Sequence, residues 1–144
     1  MEVLVTILII GILSSIALPQ YQKAVMRSRF AQMVVVNNAI YNAQLVYYDT
    51  FNKYADTIDE LDISLPPMRD VSCQANFGDR TLCYLYSNNN TFAIIEQTFS
   101  GDMICCAYKS NKYAGASLCE AEMGTKSWYN GCGAGGGCHC YVKQ

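Results

Sequence analysis

The side chains with chemistry to offer lie in the second half of the chain: Cys73, Cys83, Cys105, Cys106, Cys119, Cys132, Cys138 and Cys140, with one histidine, His139. Cysteine at this density has three uses, namely disulfides, a soft-metal site, or a thiolate nucleophile beside a base. An even number allows complete pairing among roughly a hundred connectivities. Neighbours along the chain are the favoured partners: Cys73 with Cys83, Cys105 or Cys106 with Cys119, and Cys132 with Cys138 or Cys140. Each such staple is worth about 2–4 kcal/mol to a loop-rich head with a modest core. The metal reading uses Cys132, Cys138, His139 and Cys140. Its spacing is poor, because structural zinc sites take pairs separated by about two to four residues, and adjacent ligands leave the chain little room to wrap a tetrahedral ion. A Cys–His nucleophile fails for another reason, since capture in a disulfide removes the thiolate. No catalytic residue, resident metal or cofactor is therefore expected.

The elements that must carry these cysteines begin with an apolar segment. Val3 to Leu18 reads VLVTILIIGILSSIAL, and no charge occurs between Glu2 and Lys23. A bilayer-spanning helix takes about 20 apolar residues, so this run with its flanks makes a short span. An acid at position 2 and the lack of a basic stretch ahead of the run argue against a cleaved secretory signal. A carboxylate there must face water, a headgroup or a positive partner. Beyond Pro19 the helical pattern continues. Ala24, Ala31, Val35, Ala39, Leu45 and Val46 recur at helical spacing, with Lys23, Arg27, Gln32, Asn37 and Gln44 between them. The whole stretch from Val3 to Thr50 predicts one helix of roughly 70 Å, interrupted at Pro19. Gly11 to Pro19 is its weakest part.

With these residues in view, MEVLVTILIIGILSSIALPQYQKAV resembles the N-terminus of a type IV pilin or pseudopilin. The likeness covers about the first fifty residues and rests on Glu2, on LIIGIL at Leu8 to Leu13, on ALPQYQ at Ala17 to Gln22, and on the long helix that follows. YADTIDELDISLP, Tyr54 to Pro66, is a weaker likeness to the loop after that helix. The resemblance implies that Glu2 neutralises the amino terminus of a neighbouring subunit in a filament. It also implies that Gly11 to Pro19 loses regular helical bonding on assembly. A leader and a few mature residues would stand ahead of Met1, with an N-methylated terminus after cleavage by a prepilin peptidase. Further implied partners are copies of the same chain in a helical filament, the assembly ATPase and platform protein, and the inner membrane before assembly. The implied location is a filament outside the cell.

Lys23, Arg27 and Arg29 just after the span would hold that end in the cytoplasm by the positive-inside rule, opposite to the family's orientation. A basic leader would restore the bias. The cysteines favour an outward head, because disulfides persist outside the cytosol.

Composition agrees with a small structural protein. A length of 144 residues allows one head, and a net charge of -2 supplies no field for nucleic acid. The glycines from Gly131 to Gly137 lack the lysine and helix of a phosphate loop. Asn89-Asn90-Thr91 fits a glycosylation acceptor. Eleven tyrosines invite a conduction reading, but Tyr47, Tyr48, Tyr54, Tyr84 and Tyr86 stand where rings ordinarily pack. TLCYLYS, TFAIIEQTF and MICCAYKS, separated by SNNN and SGD, predict three antiparallel strands. From Tyr113 onward the chain should be mostly loop. The expected fold is α+β: a long N-terminal helix whose second half packs on a small antiparallel sheet, with a disulfide-rich, loop-rich C-terminal region. Residues 1–22 form the filament-core or transmembrane segment and residues 23–144 the head. The expected function is a structural subunit of a type IV pilus-like filament, not an enzyme. The alternatives are a pseudopilin of a type II secretion system and a membrane-tethered metal or redox module.

Overall fold

A computed structural model describes residues 2–87, 90–108, 115–127 and 138–143. One helix, α1, runs from Glu2 to Phe51. Pro19 lies inside it without interrupting it, contrary to the sequence expectation. Proline removes a single bond, the one its N–H would give to the Ser15 carbonyl, and the bonds of the flanking turns carry the helix through. The far end has a clear stop. Asn52 adopts φ 53° and its N–H donates to the Tyr48 carbonyl at 2.7 Å, a left-handed cap that turns the chain away.

The descent from α1 passes a short 3-10 turn at Ile58–Glu60 and reaches β1 (Val71–Gln74). Three longer strands follow, β2 (Arg80–Ser87), β3 (Asn90–Thr98) and β4 (Met103–Tyr108), close to the three that the sequence marks out. Then come α2 (Gly115–Met123), β5 (Gly124–Ser127) and β6 (Cys138–Lys143). The region after Tyr113 thus holds a helix and two strands where loop was expected. Its glycines Gly131 to Gly137 lie outside the described residues. All neighbouring strands pair antiparallel, in the order β1-β2-β3-β4-β6-β5.

Side chains alternate between the two faces of this sheet. Cys83, Leu85, Ala93, Ile95, Cys105, Ala107 and Tyr141 face the main core, where α1 and α2 cover them. Leu82, Ile94, Cys106 and Cys140 form a smaller cluster on the other face, with Tyr84, Ile104 and Cys138 packed against it.

The face that α1 gives to the core is not the one its apolar spacing picks out. Phe30, Met33, Val36, Asn37, Ile40 and Gln44 are buried, whereas Ala24, Ala31, Val35, Ala39 and Val46 are exposed and Leu45 is half-buried. The two amides are buried because each serves backbone or side-chain partners in the head. Gln44 donates through Nε2 to the carbonyls of Ala55 at 2.8 Å and Ala75 at 2.9 Å, and its Oε1 accepts from the Ala55 N–H at 2.8 Å. Asn37 Oδ1 accepts from the Thr81 hydroxyl at 3.1 Å, and its Nδ2 donates to Gln97 Oε1 at 3.4 Å. Such groups are stable in a core only when satisfied.

Candidate assembly surface

Among the described residues, nothing packs on the first half of α1. Its most apolar window has mean hydropathy 2.2 and no part of it is buried, and by length and composition the helix can cross a membrane. Val3, Leu4, Val5, Ile7, Leu8, Ile9, Ile10, Ile12, Leu13, Ile16 and Leu18 all stand exposed. Burying each is worth about 1.5–3 kcal/mol, so together they represent roughly 15–30 kcal/mol of unmet hydrophobic driving force. That exceeds the net stability of a typical domain, about 5–15 kcal/mol. This surface therefore demands lipid or other apolar helices around it. Two of its three hydroxyls are already suited to such surroundings. The Thr6 hydroxyl donates to the Val3 carbonyl at 2.8 Å and the Ser15 hydroxyl to the Ile12 carbonyl at 2.7 Å, so neither depends on water.

The residues singled out for assembly all lie on this rod. Glu2 opens α1, although its side chain falls outside the described set. Gly11 has nothing within 4 Å of where a Cβ would stand, so nothing in the isolated chain requires glycine there. Pro19 lies inside the helix. The apolar surface does not end at Leu18. It continues along the head as the exposed line Ala24, Ala31, Val35, Ala39 and Val46, which with half-buried Leu45 make up the apolar helical repeat of the sequence. Three open grooves of about 440 to 490 Å³ flank it: Ala24 against Leu118 and Ala121 of α2, Val35 against Pro66 and Pro67, and Val46 against Leu61 and Ile63.

Two of the three basic residues after the span are turned toward the head. Arg29 meets Asp70 at 2.6 Å, and Arg27 meets Glu122 of α2 at 3.5 Å. Asp70 holds φ 64°, a left-handed conformation that Asp tolerates better than most residues, and its carbonyl accepts the Tyr86 N–H at 2.8 Å. These pairs lock the start of the head to the rod. At the other end Tyr48, Tyr54 and Phe99 stack in sequence, with centroids 4.6 and 3.6 Å apart, and Tyr47 contacts Phe51 at 4.5 Å. Burial, the Tyr48 and Tyr41 phenols and the Asp49 carboxylate push the Tyr54 phenol above its ordinary value. The rings tie the end of α1 to the β3–β4 turn, which is packing.

Six of the cysteines resolve into definite pairs. Cys73 bonds Cys83 and Cys105 bonds Cys119. Cys106 bonds Cys140, a pairing not anticipated, and it excludes both Cys106 with Cys119 and Cys132 with Cys140. The physical reason is alternation along β4. Neighbours Cys105 and Cys106 point to opposite faces, so Cys105 reaches α2 over the core while Cys106 meets its register partner Cys140 on β6. Cys138 is also disulfide-bonded. Cys132 and Asn89 lie outside the described residues. Of the metal set, Cys132 lies outside the described residues, His139 falls on the opposite face of β6 from Cys138 and Cys140, and those two cysteines are engaged in disulfides.

An apolar N-terminal rod joined to a disulfide-stapled α+β head is a pilin-like architecture. No family model, curated protein or solved structure matches the chain.

Proposed function

We propose that this chain is a structural subunit of an extracellular type IV pilus-like filament, held in the inner membrane by Val3 to Leu18 before assembly and in the fibre core afterwards. The observation that carries this reading is the wholly unburied apolar half of α1, continuous with the exposed Ala24 to Val46 line of the head. Copies packed side by side would satisfy both surfaces at once and leave the sheets outward, where disulfides are stable. Glu2 would neutralise the amino terminus of a neighbour, and Gly11 to Pro19 would supply the segment that loosens as the fibre bends. A prepilin peptidase, an assembly ATPase and a platform protein would be the partners.

The test is to shear surface filaments from cells that express the chain and image them by cryo-electron microscopy, with mass spectrometry of the same fraction. A fibre built from this chain with its apolar helices at the axis is the expected result. Recovery of the chain only from the membrane fraction, with no fibre containing it, would overturn the filament reading.

A further inference from the structure

Two of the three grooves beside α1 lie end to end and make one trough. Their helix wall is a single stripe, Ser28, Gln32, Val35, Ala39, Val46 and Thr50, at the spacing that keeps side chains on one face. Their other wall is one stretch of chain running back along the helix, with Leu61 and Ile63 in the first groove and Pro66, Pro67 and Met68 in the second. From Ser28 to Thr50 the trough is about 33 Å long. Charge enters its lining at one end only, where Glu60 and Asp62 form a lip in the groove that Val46 lines.

The rod of a second copy matches this trough in length and chemistry. Val3 to Leu18 is about 24 Å of helix with apolar side chains all round, and the first charge after it is Lys23. An apolar rod in an apolar trough is held but not indexed, because one contact is much like the next as it slides. Register therefore falls to the charges at the ends. Lys23 and Asp62 are both exposed, and neither meets a polar partner among the described residues. Glu60 is oriented at the lip by the hydroxyls of Thr57 at 3.0 Å and Tyr47 at 3.4 Å, which donate to its carboxylate.

We infer that the rod of a second copy lies in this trough, parallel to α1 and displaced along it by about 35 Å, with its Lys23 on the Glu60–Asp62 lip. The displacement is the twenty-three residues from Lys23 to Val46 at about 1.5 Å each. It sets the apolar run level with roughly residues 26–41, where the walls of the trough carry no charge. Direction follows from the same charges. Reversed, the rod would carry the acid at position 2 to the acidic lip and Lys23 toward Arg69, which follows Met68 at the other end. The surface ion pair contributes only about 0–1 kcal/mol, so burial of the rod supplies the cohesion and the pair selects the register. This inference rests on the filament reading and adds to it a seat and a stagger.

The test treats sheared fibres with a zero-length carbodiimide, which joins an amine to a carboxylate only where the two touch, and maps the products by mass spectrometry. Lys23 and Asp62 of one chain stand about 35 Å apart along α1, so a bond between them joins two copies. The expected product links Lys23 to Asp62 or Glu60, and cryo-electron microscopy should show copies that share a trough offset by about 35 Å, to within one helical turn. Fibres in which Lys23 couples to another group or another protein, or in which the offset falls outside that range, would overturn this inference and leave the filament reading standing. Cells without fibres would overturn both. Lys23→Glu should lower fibre yield about tenfold by setting like charges together, and adding Asp62→Lys should restore it. Both side chains are exposed, so the heads of both variants should melt as before. A double variant with folded heads and no recovery of fibres also sinks the inference.

Discussion

The two halves of α1 are one continuous helix built for two different surroundings. From Val3 to Leu18 apolar side chains circle the whole rod and none is buried, whereas from Phe30 to Gln44 a single face is buried and two of its residues are amides. The first half is specified by composition alone and accepts any apolar neighbour. The second is specified residue by residue. Phe30, Met33 and Ile40 fill volume, while Asn37 and Gln44 fix where particular loops and strands must sit. An assembling rod needs many interchangeable contacts, and a head needs one arrangement.

This contrast is broken most sharply at Phe30. Phe30→Ala should lower head stability by about 3–5 kcal/mol, as for other fully buried phenylalanines, and leave membrane retention unchanged; thermal melts in detergent and membrane fractionation read the two effects separately. Ile9→Lys should do the reverse. A lysine near the middle of the span costs about 2.5–3.5 kcal/mol of insertion, so the variant should leave the membrane fraction with its head melting as before. Gln44→Leu tests whether an amide is worth more than its burial. It orphans the Ala55 N–H inside the core, and a loss of about 1–3 kcal/mol is expected in the same melts, whereas an unchanged melt would show that the amide is dispensable. The smallest effect on folding belongs to Val35→Asp, within about 0.5 kcal/mol because the side chain is 67% exposed. That variant should nevertheless reduce filament yield, measured by shearing, if the exposed line packs against other copies.

Much of the rod was readable in the sequence. An uncharged apolar run followed by an unbroken helical period brings the expected helix, Val3 to Thr50, to within a residue of the observed one at each end. Pro19 misled because a proline's lost bond was weighed as an interruption, although a long helix absorbs one. The direction of the second half was not readable from periodicity. Alanines and valines marked an apolar line that faces outward, because the bulk at Phe30, Met33 and Ile40 claims the core, and Asn37 and Gln44 look solvent-facing until their partners, 11 to 60 residues further along the chain, are known. The three central strands carried their own alternation and turn signals. α2 and β6 did not, since a glycine-rich approach hides them and their pairing is set by β4. For the same reason Cys106–Cys140 lay beyond reach: a bond between register partners is legible only once the register is.

The ends of the sheet bear on how such chains tolerate one another at high density. β1 and β5, the outermost strands among those described, are each four residues long, half or less the length of β2 and β3. Strands this short present few unpaired backbone groups to another molecule. In the proposed filament, heads crowded side by side would thus be poor templates for edge-to-edge strand addition, the route by which concentrated β-rich proteins turn into amyloid-like aggregates, and ordered association would be left to the helix.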